Sequence, residues 1–397
     1  MLLEIHLLQN HAPSNLNRDD TGSPKDCIFG GIRRARISSQ CLKRSIRRSP
    51  LFTEGLDGAD LAVRTRRLAD EVKKQLLARG LSLEMAEIAA AKATGFGNKD
   101  GKEQPGGRTA QTMFLSPADI RAVADVLAEA AKEAKTPEAF KKVSAKDLQA
   151  KAELRGRRPL TPDIALFGRM ITSEAFRDVE AALQVAHAIS TNKMDHEFDY
   201  FTAVDDLQAT GEDEEKGADM IGDVEFNSAC FYKYFSLDVD ALVENLAGPA
   251  PDRSHSDYAE YQEHLAQART LARLVVAAFL RAAVFTTPSG KQNTFAAHQL
   301  PAGILVECRP ERTPVSYANA FVKPARVRGD IDLEEDSLQK FSAHVELLTD
   351  KFSLKASSRL WFSTHDVAIE GTTVCRTSDD LLSGLDSALA AGVADHV

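Results

Sequence analysis

Strand-like segments stand at both ends of this chain, with a long helical stretch between them. Leu2–Leu8 is apolar with partial alternation and reads as a strand. Val224–Phe235 alternates like a strand, and Ile304–Cys308 and Arg359–Ser363 read the same way. From about 59 to 190 the period is helical. Leu61, Leu68, Val72 and Leu76 recur at helical spacing. Ser116-Pro117-Ala118-Asp119 is a capping box with proline at N1, followed by Ile120, Val123, Val126 and Leu127. The glycine-rich run Phe96–Arg108 within this stretch reads as a flexible loop, and Tyr258–Val284 as a long amphipathic helix. There is no internal repeat. The order predicts one α+β domain carrying a large helical insertion.

Residues 10–31 are rich in Asn, Pro, Asp and Gly and leave no space for a helix. Ser38-Ser39 offers an N-cap for a helix over about 40–48. Residues 191–226 break the helical pattern with polar and aromatic residues, then the acidic stretch Gly211-Glu212-Asp213-Glu214-Glu215. They read as an exposed excursion, a long hairpin.

The 397 residues suffice for one large domain or two to three smaller ones. No stretch approaches 18 consecutive apolar residues, so a membrane span is not expected. Met1–His6 has no basic segment before an apolar run and does not read as a signal peptide. The five cysteines (Cys27, Cys41, Cys230, Cys308, Cys375) are scattered, with no pair at CxxC spacing. They predict free thiols in a reducing cytoplasm and no zinc site.

A formal net charge of −9 argues at first against a nucleic-acid partner. Its distribution argues the other way. Residues 1–50 hold nine Lys/Arg and four acids, leaving the excess of acid on the rest of the chain. A basic patch on an acidic body suits a protein that grips a polyanion in one groove. In the helix after Ser38, Gln40, Lys43, Arg44 and Arg47 fall on one face, while Leu42 and Ile46 can pack inward. The helix N-terminus presents free N–H groups and the positive end of the dipole. A basic helix face usually does no more than meet water. Here Arg33-Arg34-x-Arg36, the Gly30-Gly31 turn, Lys25 and Arg18 stand beside it and favour phosphate binding.

These residues carry a resemblance. Ser14-Asn15-Leu16-Asn17-Arg18-Asp19-Asp20, Lys25-Asp26, Phe29-Gly30-Gly31 and Arg33-Arg34-x-Arg36-Ile37-Ser38-Ser39-Gln40-x-x-Lys43-Arg44 resemble the start of the CasC family. That family supplies the backbone subunit of type I-E CRISPR Cascade, within the RAMP superfamily. The likeness continues through Leu166–Met170, Ala186–Ile189, Phe201–Leu207 and Gly290–Ala297. It is weakest in the loops 96–108 and 209–220 and in the last 70 residues.

The resemblance implies a hand-shaped α+β subunit. A ferredoxin-like (RRM-type) palm would comprise residues 1–58 and 227–397. A helical fingers insertion would span 59–190 and end in a palm helix, and a protruding thumb hairpin would span 191–226. Copies would stack in a filament along one CRISPR RNA, beside other Cascade subunits, and present the guide to target DNA. By position, Arg18, Lys25, Ser38, Gln40, Lys43, Arg44 and Arg47 match guide-binding residues; Arg33 and Arg34 extend that basic set. Met170, Phe201 and Thr202 match residues that wedge against displaced bases. A guide carrier should touch phosphates and sugars and leave base edges free. Without the resemblance, core packing is the ordinary reading of Met170 and Phe201. Lys132, Lys135, Lys141, Lys142 and Lys146 form a lysine-rich stretch suited to tracking duplex DNA, or to a plain solvated face.

No residue set reads as a cofactor or metal site. Ser289-Gly290-Lys291 hints at a phosphate-binding loop, but Phe285 stands where that motif needs its first glycine. His196-Glu197 lacks the second histidine of HExxH. The competing expectation is a ribonuclease of the RAMP type, processing or cutting RNA, with His11, Asp19 or Asp20 as its candidates. A third is a monomeric RNA chaperone.

Overall fold

A computed structural model describes residues 1–153, 160–173, 175–203, 220–254 and 257–394. Asp205, Asp206, the acidic run 211–215 and His255 lie outside the described residues.

The chain opens with β1 (Leu2–Ser14), β2 (Asp26–Phe29), β3 (Ile32–Ile37), α1 (Ser39–Arg47) and α2 (Pro50–Glu54). Next come β4 (Val63–Thr65), α3 (Leu68–Ala78), α4 (Leu83–Gly95), β5 (Met113–Leu115), α5 (Pro117–Ala134), α6 (Pro137–Lys141), α7 (Ala145–Glu153) and α8 (Pro162–Phe167). Four strands follow: β6 (Leu183–Val185), β7 (Ala188–Ser190), β8 (Glu197–Ala203) and β9 (Met220–Asp238). The last third holds α9 (Val239–Ala247), α10 (Tyr258–Phe285), α11 (Gln292–Phe295), β10 (Gly303–Arg309), α12 (Leu333–Phe352), β11 (Ser358–Ser363), β12 (Thr373–Cys375) and α13 (Ser378–Ala394).

Two compact units result. The first takes residues 1–55, 184–237 and 276–397; the second takes 56–183 and 238–275. The first unit carries a mixed sheet in the order β12-β11-β10-β1-β9-β7-β3-β2, with β6 and β8 also pairing β9. β1 is central because it is apolar on both faces: Leu2, Leu3, Ile5, Leu7 and Leu8 are all buried. It pairs antiparallel with β10 from Leu2↔Arg309 to Leu8↔Gly303.

The sheet also buries charge. Glu307 on β10 meets Arg309 at 2.8 Å, Arg359 at 2.9 Å and the Tyr317 hydroxyl at 3.0 Å. Burial alone would raise its carboxyl. The hydrogen bond and charge of His6, with those of Arg309, outweigh burial and hold it down at about 2.

The second unit is built on α3, α4, α5 and α7, packed through Leu68, Val72, Leu76, Val123, Leu127 and Leu148. The capping box at Ser116 forms: the Ser116 hydroxyl accepts from Asp119 N at 3.0 Å, and Asp119 accepts from Ser116 N at 3.0 Å.

Several expectations change. The first strand runs on to Ser14, and the turn-rich segment holds β2 as well. No helix closes the helical stretch: among the described residues between 168 and 190, β6 and β7 are the regular elements. Residues 238–275 group with the helical unit. The 96–108 segment packs against its neighbours. Gln149 Nε2 donates to Gly95 O at 2.8 Å, and a Cβ on Gly101 would lie 2.5 Å from Lys146 N. At Gly101 glycine serves close approach, whereas Gly106 and Gly107, at positive φ, have open space beside them.

Arg34 is the main correction among the basic residues. It is fully buried. β3 points it inward, where its guanidinium donates to the carbonyls of Ser190 (3.1 Å), Thr191 (2.6 Å) and Phe321 (2.7 Å). A five-donor fork suits three converging carbonyls from two distant segments. It is a clasp inside the fold, and it is not presented to RNA. Orphaned buried carbonyls cost about 1–3 kcal/mol each before relaxation. Arg34→Met should therefore lose about 3 kcal/mol in urea unfolding, whereas Arg33→Met, at an exposed position, should change stability by less than about 1 kcal/mol. Equal midpoints for the two variants would contradict the clasp.

Candidate nucleic-acid interface

α1 forms as its sequence dictates. Ser38 caps it, its hydroxyl accepting from Cys41 N at 3.3 Å, and Leu42 and Ile46 are buried. Ser38 is itself buried, so its side chain serves the helix start. Burying Leu42 and Ile46 fixes which face remains outward. Gln40 and Arg44 are exposed, and Lys43 and Arg47 are half-buried.

The preceding loop is stapled to this helix by asparagines. Asn17 Oδ1 accepts from Ser38 N at 2.8 Å. Asn15 Nδ2 donates to Gly22 O at 3.0 Å and to Glu225 O at 2.9 Å, tying the loop to β9. Lys25 N donates to Asn17 O at 2.8 Å, closing the loop. Arg18 is exposed on it and Lys25 half-buried. Asp19 caps the loop from within, accepting from the Thr21 hydroxyl and from Thr21 N and Ser23 N. The Thr21 hydroxyl bond is the main cause of its lowered pKa.

A third segment completes the site. A Cβ on Gly290 would lie 2.4 Å from Leu16 O and 2.6 Å from Asn15 O, so only glycine lets that loop press against the Asn15–Leu16 backbone. The result is an open polar cleft of about 540 Å³, lined by Arg18, Asp19, Asp20, Cys41, Arg44, Ser45, Ser289 and Gly290. Arg18 and Arg44 thus meet in one cleft. Arg33 is exposed on the neighbouring β2–β3 hairpin and paired with Asp26. The turn of that hairpin has both Gly30 and Gly31 at positive φ.

β8 and β9 form the expected hairpin, paired from Glu197↔Phe226 to Ala203↔Met220. Strand alternation places Phe201 and Thr202 on opposite faces. Phe201 is 39% exposed, and its ring lies against Gly222, whose added Cβ would stand 2.6 Å from it. Thr202 shares its face with Phe198 and Tyr200, which are more exposed than Phe201. Sequence reasoning missed these two aromatics; their period-two spacing with Thr202 was the available signal.

Met170, in the second unit, is 94% exposed. It is held out firmly. Arg169 beside it is buried, with Asp119 at 2.7 Å and the Arg177 carbonyl at 2.9 Å, and Ile171 N donates to Asp178 at 2.6 Å. Core packing is excluded for Met170 and is not the state of Phe201.

Residues 3–386 match the family of CT1975-like proteins. The chain belongs to that family. It is also similar, at 28% identity and a TM-score of 0.78, to a chain of a CRISPR RNA-guided surveillance complex in its pre-nicking state. That likeness covers 98% of this chain and 100% of the other. A second chain, from a CRISPR RNA-guided surveillance complex, is 25% identical with a TM-score of 0.69 over the same shares. No curated protein matches the sequence.

Within this CT1975-like fold, Lys132, Lys135, Lys141, Lys142 and Lys146 are all exposed, on or beside α5, α6 and α7. The ribonuclease candidates are placed otherwise. Asp19 and Asp20 are exposed loop residues, and His11 is fully buried on β1. Among the described residues, no group of three His, Cys, Asp or Glu could hold a metal ion, and no helix is long and apolar enough to cross a membrane.

Burial, with the charge of Lys233, pushes the His11 imidazole down from 6.5 to about 3. Its folded pKa is depressed, so the unfolded chain binds the proton more readily between those values. The stability this sustains is complete above pH 6.5 and is lost as pH falls toward 3. His11→Gln should therefore lose less stability than the native chain between pH 6.5 and 4, by on the order of 3 kcal/mol. Urea unfolding at stepped pH measures this; parallel acid slopes would contradict it.

Proposed function

We propose that this chain is the non-catalytic, guide-binding backbone subunit of a type I-E Cascade-like CRISPR surveillance complex. The observation that carries the reading is the cleft in which Arg18, Arg44 and the Gly290 loop converge beside the basic face of α1. Such a surface offers cations and backbone N–H groups to phosphates, with no set of side chains arranged to read base edges. A protein that must accept any spacer needs that property. Its structural relatives belong to RNA-guided complexes, which supports the same partner here.

In this reading the first unit is the ferredoxin-like palm, the second the fingers, and β8 with the start of β9 the thumb. Arg18, Lys25, Arg33, Gln40, Lys43, Arg44 and Arg47 serve the CRISPR RNA, and Ser38 holds the start of α1 that presents them. Copies line up along the guide in the cytoplasm, other Cascade subunits complete the complex, and target DNA pairs with the exposed bases. Met170, Phe201 and Thr202 interrupt stacking without reading sequence; unstacking one step costs about a few kcal/mol, offset by contacts to the splayed strand. The lysines of α5 to α7 would meet duplex DNA. A RAMP-type ribonuclease is the competing function. The burial of His11 and the internal bonding of Asp19 speak against it.

Mass measurement of the protein with RNAs of increasing length tests the proposal. The expected result is a stepwise gain of subunits, with no cleavage in magnesium. Lys43→Ala/Arg44→Ala/Arg47→Ala should lower the slope of log K against log salt by about 0.7 per lost contact. One subunit at every RNA length, or an unchanged slope, would contradict it.

A further inference from the structure

We propose that a groove along α10, within the second unit, docks a segment of another polypeptide that is apolar at its centre and carries Lys or Arg on either side. The proposal stands apart from the RNA-binding reading and starts from charge. Residues 238–263 hold seven acids and a single arginine, Arg253. None of the seven acids is buried. A surface of this sign repels phosphate and attracts cations.

Two cavities meet there. One, of about 480 Å³, lies between the end of α9 and the first turns of α10, lined by Leu246, Gly248, Asp257, Glu260, Tyr261 and His264. The other, of about 460 Å³, reaches the start of α5 and is lined by Asp57, Asp60, Ser116, Arg121, Thr161 and Pro162. Leu271 lines both and makes them one groove. Glu260 and Leu271 are both on α10, and the helical rise between them is about 16 Å.

The chemistry of the groove selects its occupant. At one end α9 stops at Ala247, presenting its last carbonyls and the negative end of its dipole. Glu260 is exposed beside them, and the Tyr258 and Tyr261 rings stand 6.3 Å apart. Carbonyls, a carboxylate and aromatic faces together suit a guanidinium or an ammonium. At the other end Asp57 and Asp60 are exposed. The groove's own basic groups do not balance these acids: Arg121 lies 3.6 Å from Asp60, and His264 lies 3.9 Å from Glu260. Between the ends the floor is apolar, with Ala268 and Leu271 of α10 and Pro162 of α8.

Thr161 supplies an independent sign of a missing partner. It holds the N-cap position of α8, yet its hydroxyl caps nothing. It is 5% exposed, and among the described residues its Oγ1 has no hydrogen bond. A buried hydroxyl in the wall of a cavity is satisfied when a backbone amide or carbonyl enters. Two acidic ends, an apolar middle and one orphaned hydroxyl fit a peptide better than a free cation.

The test pans random phage-displayed peptides of about twelve residues, long enough to span the groove as a helix, on the full-length protein. Enriched peptides should place apolar residues between Lys or Arg. A synthetic copy of the most enriched one, followed by fluorescence anisotropy, should bind Asp57→Asn/Glu260→Gln about tenfold more weakly than the native chain. Thr161→Val should weaken it as well. Glu311→Gln/Asp366→Asn, which removes the same charge from exposed sites of the first unit, should leave peptide affinity unchanged. Polyuridine affinity should be the same for the native chain and the groove variant, and polyuridine should not displace the peptide. Acidic peptides or no enrichment would overturn the proposal, as would equal binding to the groove variant or equal weakening in the first-unit variant. Spermidine binding at these carboxylates with no peptide enriched would give the groove to a free polyamine and overturn it too. Loss of polyuridine binding in Lys43→Ala/Arg44→Ala/Arg47→Ala reads the RNA proposal separately.

Discussion

The backbone pairing of β9 is the constraint on which most of the first unit depends. This strand of 19 residues pairs with β6, β7 and β8 and is the hydrogen-bonded neighbour of β1. Its C-terminal half lies in the core, where Phe231, Tyr232 and Phe235 are buried. Its N-terminal half continues past the core as one arm of the hairpin, where Ile221 is exposed. The protruding element is therefore not a loop attached to the sheet; it is the sheet, extended. A hairpin alone is marginal in water, and here the ladder that the core enforces holds its register. Whatever the hairpin does, it does from a fixed root.

The same economy applies to the basic surface. Leu42 and Ile46 orient α1, Asn17 fastens the Arg18 loop to its start, and Gly290 admits a third segment. Apolar burial and neutral hydrogen bonds set the geometry, and in the proposed reading the cations on this frame meet phosphate. On the proposed reading, this division lets a chain of net −9 carry a polyanion site. Over distances beyond a Debye length of about 10 Å the acidic body is screened, and the local patch decides.

Much of this was legible in the sequence, for identifiable reasons. α1, its cap and the Ser116 capping box announce themselves because the interactions are local and the residue types few. The strands at Val224 and Ile304 show because alternation or an unbroken apolar run leaves a strong signal. What stayed hidden is long-range. Arg34 looks like its neighbours, the exposed Arg33 and the half-buried Arg36, until strand alternation and three carbonyls from elsewhere claim it. The grouping of 238–275 with the helical unit depends on packing that periodicity does not encode. Gly101 reads as flexibility, yet it marks close contact. Phe201 and Thr202 are adjacent in sequence and so face opposite ways; Tyr200 and Phe198 were overlooked because no motif names them.

The central claim is that the first unit holds an RNA backbone along α1 and the two loops stapled to it. Photo-cross-linking of the full-length protein to a generic RNA carrying 4-thiouridine, with the joined peptides identified by mass spectrometry, tests it most directly. The account predicts adducts within residues 15–25, 39–48 and 287–292, at similar yield whatever the surrounding RNA sequence, fading as salt rises. Adducts confined to the second unit, or a pattern that follows one RNA sequence, would contradict it.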